Sequence, residues 1–122
     1  MKKLRKVQSQ EYPKIFIDLN NSRYYYNYNI VEKEIVTLRN SDTKEHVYEY
    51  TPILIEGVPT QKNCIKAVIR EYITPEEEFD LINSYNRNIL LGEESIEDTE
   101  KYKEYLTLLQ EIKSRVKNDF NI

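Results

Sequence analysis

Residues 23–30 read Arg-Tyr-Tyr-Tyr-Asn-Tyr-Asn-Ile, the clearest strand pattern in the front half of the chain. Successive side chains of a β-strand point to opposite faces, so Tyr24, Tyr26 and Tyr28 share one face. Tyr25 lies on the other. Alternate tyrosines fill a sheet face well, and we expect the first set to pack inward while Tyr25 faces water. The sequence therefore predicts a half-buried strand.

Further strand patterns lie on both sides of this stretch. Alternation predicts strands at residues 15–19, 34–39 and 46–51. The turn residues Asn-Ser-Asp-Thr at 40–43 join the last two into a β-hairpin. Pro52 predicts an edge strand or a bend, because proline has no N–H to donate to a central ladder. Such an edge can pair with a second copy, so a homo-oligomer stays open.

The back half of the chain changes to capped helical periodicity. Thr60 is placed to cap a first helix. Thr74, Pro75 and Glu77 form the start of a second helix, with proline at the first position and a Thr-x-x-Glu capping box. Gly92 is placed to end that helix, because glycine readily takes the left-handed conformation of a C-terminal cap. A third helix is predicted over residues 96–119.

Each predicted helix carries an apolar stripe at spacings of three and four residues, which we expect to be buried. The stripes are Ile65, Val68, Ile69 and Tyr72; Phe79, Ile82, Tyr85 and Ile89; and Tyr102, Tyr105, Leu106, Leu109, Ile112, Val116 and Phe120. The third helix is long for this chain, so we expect its end to project. The predicted class is α+β, with an antiparallel sheet of about four strands followed by three helices packed on it.

Length and charge favour one domain with two differently charged parts. A chain of 122 residues fits a single domain, with a flexible basic lead at 1–12, a β-rich part at 13–57 and a helical part at 58–122. Residues 1–50 carry nine Lys/Arg against seven Asp/Glu, whereas residues 51–122 carry nine against fourteen. The net charges are therefore +2 and −5.

The composition disfavours catalysis and cofactor binding. The sequence has one histidine, His46, and one cysteine, Cys64, too few for a zinc site. We interpret His46 as an exposed strand residue and Cys64 as a small buried thiol. Residues 93–98 are acidic but lack the spacing of a calcium loop. We therefore expect no enzyme, and assign no catalytic, cofactor-binding or metal-binding residue.

Nucleic acid and membranes are also disfavoured as partners. The isoelectric point is near 5.3, and the second helix opens with acidic residues at 76–80 that would repel a phosphate backbone. The basic start is followed by no apolar stretch, so it does not read as a signal peptide. No segment approaches the roughly 20 apolar residues that span a bilayer. We expect synthesis in the cytoplasm.

Five segments carry a resemblance to a known group of proteins. They are Tyr48–Tyr50, Ile55–Thr60, Ile65–Tyr72, Glu77–Tyr85 and the helix containing Lys103-Glu104-Tyr105. In this order, residues 48–120 resemble small uncharacterised proteins encoded near the tail genes of phages and prophages of gut Bacteroidetes. The resemblance implies a non-enzymatic role at or around the tail, as a virion component or an assembly factor. It transfers no functional residues.

The tyrosines of the predicted sheet are the candidate interaction surface. These residues are Tyr24, Tyr25, Tyr26, Tyr28, Tyr48 and Tyr50. Tyrosine supplies large contact area with a polar end, which suits protein recognition. The favoured hypothesis is an accessory protein that contacts other phage or host proteins through this sheet face or the third helix. The alternative is a small binding module that recognises carbohydrate or nucleic acid through the tyrosines.

Overall fold

The computed structural model describes residues 1–36, 44–93 and 95–121. Within those ranges the elements are β1 (Val7–Ser9), β2 (Phe16–Asp18), β3 (Arg23–Val36), β4 (Lys44–Glu56), α1 (Gln61–Tyr72), α2 (Pro75–Leu91) and α3 (Ile96–Phe120). The strands form one antiparallel sheet in the order β1-β4-β3-β2. The predicted α+β class, with an antiparallel sheet followed by three helices, is confirmed.

The long strand β3 joins the predicted strand at 23–30 to the beginning of the one predicted at 34–39, of which residues 37–39 lie outside the described residues. A bulge between Tyr28 and Val31 lies at the junction, and Asn29 there has a φ of 57°. Asparagine tolerates this left-handed conformation better than most residues. The bulge changes which side chains face inward without ending the strand. Two alternating patterns therefore belong to one strand.

Pro52 lies inside β4, which continues past it instead of bending. It pairs with Asn27, whose backbone N–H donates to the Ile15 carbonyl oxygen on the β2 side, at 2.8 Å. The missing proline N–H therefore points away from β3. In the described ladders, β1 pairs with β4 only as far as Tyr50. Pro52 thus lies in a part of β4 that is paired with β3 on one side and unpaired on the other. The predicted turn at 40–43 lies outside the described residues.

The first strand falls in the segment that the sequence analysis treats as a flexible lead. Val7 pairs with Tyr50, and the backbone N–H of Lys2 donates to the Tyr72 carbonyl oxygen at 2.9 Å. The prediction for residues 1–12 is therefore wrong, because part of this segment forms an edge of the sheet. A three-residue strand offers too short a pattern to detect, and its partner is far away in sequence.

The core lies between one face of the sheet and the helices α1 and α3. Its most buried members are Tyr26, Tyr28, Ile53, Ile55, Cys64, Val68, Ile112 and Val116. The Tyr26 and Tyr28 rings meet edge to face, with centroids 6.0 Å apart. The predicted inward packing of these two tyrosines is confirmed, as is the burial of the Cys64 thiol.

The predicted helix boundaries hold where a local cap sets them. The Thr60 hydroxyl accepts from the Asn63 backbone N–H, and the Thr74 hydroxyl from the Glu77 N–H, each at 3.1 Å. Gly92 ends α2 with a φ of 66°. These bonds satisfy backbone groups that have no partner inside the helix. Both predicted N-terminal caps and the predicted C-terminal cap are confirmed.

The prediction that the apolar stripe of α2 is buried is wrong. Across Pro75–Leu91, all of which the structure describes, no residue is buried. Phe79 is 66% exposed and Ile89 is 60% exposed. The helix packs on α3, where the Tyr85 and Tyr102 rings stack at 4.4 Å, and not on the sheet. Because α2 packs on the outside of α3, only a narrow strip of its own surface is covered.

The C-terminal end of α3 packs on the sheet, so the expected projection of that end is wrong. Val116 is fully buried, and the Phe120 ring lies 5.4 Å from the Phe16 ring of β2. The two α3 residues are one turn apart and continue a single stripe. Buried residues of α3 are confined to its part from Tyr105 onward. The earlier turns of α3 instead pair with α2.

Candidate interaction surface

The sheet face opposite the helices carries a row of exposed apolar side chains. Ile17 of β2 pairs directly with Tyr25 of β3, and Tyr25 pairs with Leu54 of β4. Residues paired across neighbouring strands project from the same face. Their exposed fractions are 41%, 39% and 44%. We call these three residues the outer row, which crosses three strands.

The candidate tyrosines divide between the two faces of the sheet. Tyr26 and Tyr28 are 0% and 2% exposed, so their assignment to an interaction surface is wrong. The physical reason is that α1 and α3 cover their face. Tyr24 shares that face and is half-buried. Tyr25, by contrast, is exposed on the outer face, where the strand alternation places it.

Tyr48 and Tyr50 lie on the outer face and are half-buried. Tyr12, which the sequence analysis did not select, packs edge to face on Tyr48 with ring centroids 5.2 Å apart. Tyr12 is 58% exposed. It lies between strands, where alternation gives no signal, so a contact of this kind appears only in the folded chain.

The segment that carries Tyr12 crosses the outer face, because β1 and β2 lie at opposite edges of the sheet. The side-chain amide of Asn27 donates to the Lys14 carbonyl oxygen at 2.6 Å and fixes the crossing. Asn27 is 1% exposed, and this bond satisfies its buried amide. The crossing covers the middle of the outer face and leaves the outer row beyond it.

Cys64 and His46 have the most chemically reactive side chains of the chain. Cys64 lies in the core and His46 lies on the surface of β4. Cys64 is fully buried, and burial raises the pKa of its thiol to about 12. The thiol is therefore protonated at neutral pH and is a poor nucleophile. His46 is exposed on β4, as expected, with its Nδ1 3.0 Å from a Glu32 carboxylate oxygen.

A polar bond inside the core joins the sheet to the end of α3. The Tyr26 hydroxyl donates to the Asp119 carboxylate. Burial, reinforced by this bond, raises the pKa of Tyr26 above its ordinary value. Burial also raises the pKa of Asp119, and the bond from Tyr26 partly opposes that rise. The pair stabilises an interior contact and lies away from the exposed outer row.

Comparison of the chain with protein-family models, with curated proteins and with solved structures gave no match. None of the helices in the described ranges is long and apolar enough to cross a membrane. Among the residues that the structure describes, no three His, Cys, Asp or Glu side chains group to hold a metal ion.

Proposed function

We propose that this chain is a non-enzymatic accessory protein of phage type that acts through protein–protein contacts. It would serve as a tail-associated structural component or as an assembly factor. The observation that carries the contact function is the outer row, in which Ile17, Tyr25 and Leu54 are each about two-fifths exposed. Adjacent apolar side chains with one tyrosine suit the centre of a protein interface. The resemblance of residues 48–120 supports the phage setting.

Recognition of carbohydrate or nucleic acid has weaker support. A stacking platform needs several aromatic rings on one accessible face. Burial of Tyr26 and Tyr28 takes two of the candidate rings out of any such platform. The outer row instead offers two aliphatic side chains beside Tyr25, and this mixture favours a protein partner.

Site-specific photocrosslinking tests the contact function. We would place p-benzoylphenylalanine at Tyr25 of the full chain in a strain that produces particles, and at the exposed Lys113 of α3 as a matched control. The expected result is a crosslink to one phage or host protein from Tyr25 and none from Lys113. Mass spectrometry of purified particles then separates a tail component, present in stoichiometric amount, from an assembly factor found only in the lysate.

Two results would contradict the proposal. One is that Tyr25, Ile17 and Leu54 positions all fail to crosslink any protein above the Lys113 background. The other is a titration with oligonucleotides or glycans that quenches the tyrosine fluorescence of the wild-type chain but not of Tyr25→Ala. That second result would establish the alternative function.

A further inference from the structure

A second exposed apolar surface lies where α2 ends and α3 begins. Ile89, Leu90 and Leu91 are 60%, 83% and 63% exposed, and Ile96 is 80% exposed. We call these four residues the helical tip; Gly92 turns the chain between them. Consecutive helical residues are about 100° apart, so three in a row cover too wide an arc to face α3 together.

The helical tip lies within the most acidic part of the chain. Residues 75–100 contain nine Asp/Glu and a single Lys/Arg, which is Arg87, for a net charge of −8. The rest of the chain then carries 17 Lys/Arg and 12 Asp/Glu, for a net charge of +5. The stretch from α2 to the first turn of α3 is therefore strongly negative, whereas the rest of the chain is positive.

A groove between the two helices combines these features. It has a volume of about 500 Å³ and is lined by Tyr85, Ile89 and Ile96 among other residues. Glu93 and Glu100 contribute to the same lining. The volume is sufficient to accept large side chains. A lining that combines aliphatic and aromatic side chains with two carboxylates suits a ligand that is both aliphatic and cationic.

We infer that the helical tip binds a basic amphipathic helix of a partner protein. Aliphatic side chains on one face of that helix would lie on Tyr85, Ile89 and Ile96, and its lysines or arginines would meet Glu93 and Glu100. This mode of recognition places an apolar helix face in a groove and uses charge to select the partner. The inference rests on the proposed function, since it names a second contact surface and the chemistry of its partner.

Charge complementarity decides between the occupants of this surface. Two copies joined tip to tip would bring two segments of net charge −8 together, which opposes such a dimer. Anionic lipid headgroups would be repelled in the same way. A cationic helix gains attraction from Glu93 and Glu100 in the groove lining and covers the aliphatic side chains as well.

Synthetic helices test the inference on the full chain. The probes are two amphipathic peptides of roughly 14 residues, about four helical turns, with the same leucine pattern and either lysine or glutamate at the polar positions. Isothermal titration calorimetry should show binding of the Leu/Lys peptide and at least about tenfold weaker binding of the Leu/Glu peptide, about 1.4 kcal/mol.

Paired variants separate the apolar contribution from the charge. Ile89→Ser combined with Ile96→Ser should weaken Leu/Lys binding at least about tenfold without unfolding the chain, because both side chains line the groove and are exposed. Glu93→Gln combined with Glu100→Gln should weaken it and reduce its salt dependence. Val58→Ser, at a 69% exposed position outside both proposed surfaces, is the matched control and should leave peptide affinity unchanged.

Several outcomes would overturn the inference. They include unchanged Leu/Lys affinity in the Ile89→Ser/Ile96→Ser variant and equal affinity for the two peptides. If the wild type dimerises and this same variant does not, the surface binds a second copy. If the wild type binds phosphatidylcholine vesicles and the variant does not, the surface binds lipid. Crosslinking from Tyr25 is measured separately, so failure of the peptide test and failure of the proposed function are distinguishable.

Discussion

The bond between Tyr26 and Asp119 gives the sharpest quantitative prediction. Tyr26→Phe removes the hydroxyl and keeps the ring, which stacks on Phe16 at 5.3 Å. A hydrogen bond to a charged group contributes about 1.5–3 kcal/mol. Tyr26 is fully buried, so water cannot replace its hydroxyl at the carboxylate from the same side. We expect a loss of about 2 kcal/mol at neutral pH, or roughly 8 °C in Tm.

The burial of Asp119 predicts how stability depends on pH. The pKa of Asp119 is raised by burial, so the folded state binds this proton more tightly than the unfolded state. Its contribution to stability is present below the unfolded pKa of about 3.9 and is lost as the pH rises through the folded pKa. Asp119→Asn cannot ionise, yet its amide oxygen can accept from Tyr26. The stability of the wild type relative to Asp119→Asn should therefore fall as the pH rises from about 3 to 7.

Urea denaturation followed by far-UV circular dichroism tests both statements. The set contains the wild type, Tyr26→Phe, Asp119→Asn and the double variant, with Tyr25→Phe as control because that tyrosine is exposed. The control should remain within about 0.5 kcal/mol of the wild type. The reasoning is refuted if Tyr26→Phe is equally neutral at pH 7, or if Asp119→Asn and the wild type share one pH profile.

Three further predictions concern packing, a cap and the buried thiol. Ile112→Ala should lower the free energy of unfolding in urea by about 3 kcal/mol, because Ile112 is fully buried. Ile96→Ala, at an 80% exposed position, should change it little, and equal losses would contradict the packing. Gly92→Ala should cost about 1 kcal/mol in the same assay, for its backbone conformation alone, since an added Cβ would have no neighbour within 4 Å. Cys64 should resist iodoacetamide in the folded chain at about pH 8 and react fully in urea, as read by intact mass spectrometry; rapid labelling of the folded chain would show an accessible thiol.

Features set by neighbouring residues were predictable from the sequence. The caps at Thr60 and Thr74 need a hydroxyl and a backbone N–H three residues later, and Gly92 needs only its own freedom to adopt a positive φ. The inward face of Tyr26 and the outward face of Tyr25 follow from strand alternation over a few residues. Local geometry was sufficient in each case.

Features set by distant residues were not predictable. The strand β1 forms because Val7 pairs with Tyr50, and a three-residue sequence pattern does not predict so distant a partner. Tyr12 reaches Tyr48 because the β1–β2 connection crosses the sheet, which depends on strand order. The bulge at Asn29 changes the inward face within one strand. Each outcome depends on tertiary pairing, which periodicity does not contain.

The helix α2 has apolar residues that periodicity assigns to the core but that are exposed in the structure. Its spacing predicts a buried stripe, yet its contacts include an ion pair and a ring stack: Glu78 pairs with Arg70 at 3.1 Å, and Tyr85 stacks on Tyr102. These contacts hold the helix without Leu90 or Leu91, so the fold gains little from aliphatic side chains at those positions. Exposed aliphatic side chains add aggregation risk, and a cluster of them is typical of a contact surface. Periodicity cannot distinguish side chains that bind a partner from side chains that build a core, because both uses need the same residues at the same spacing.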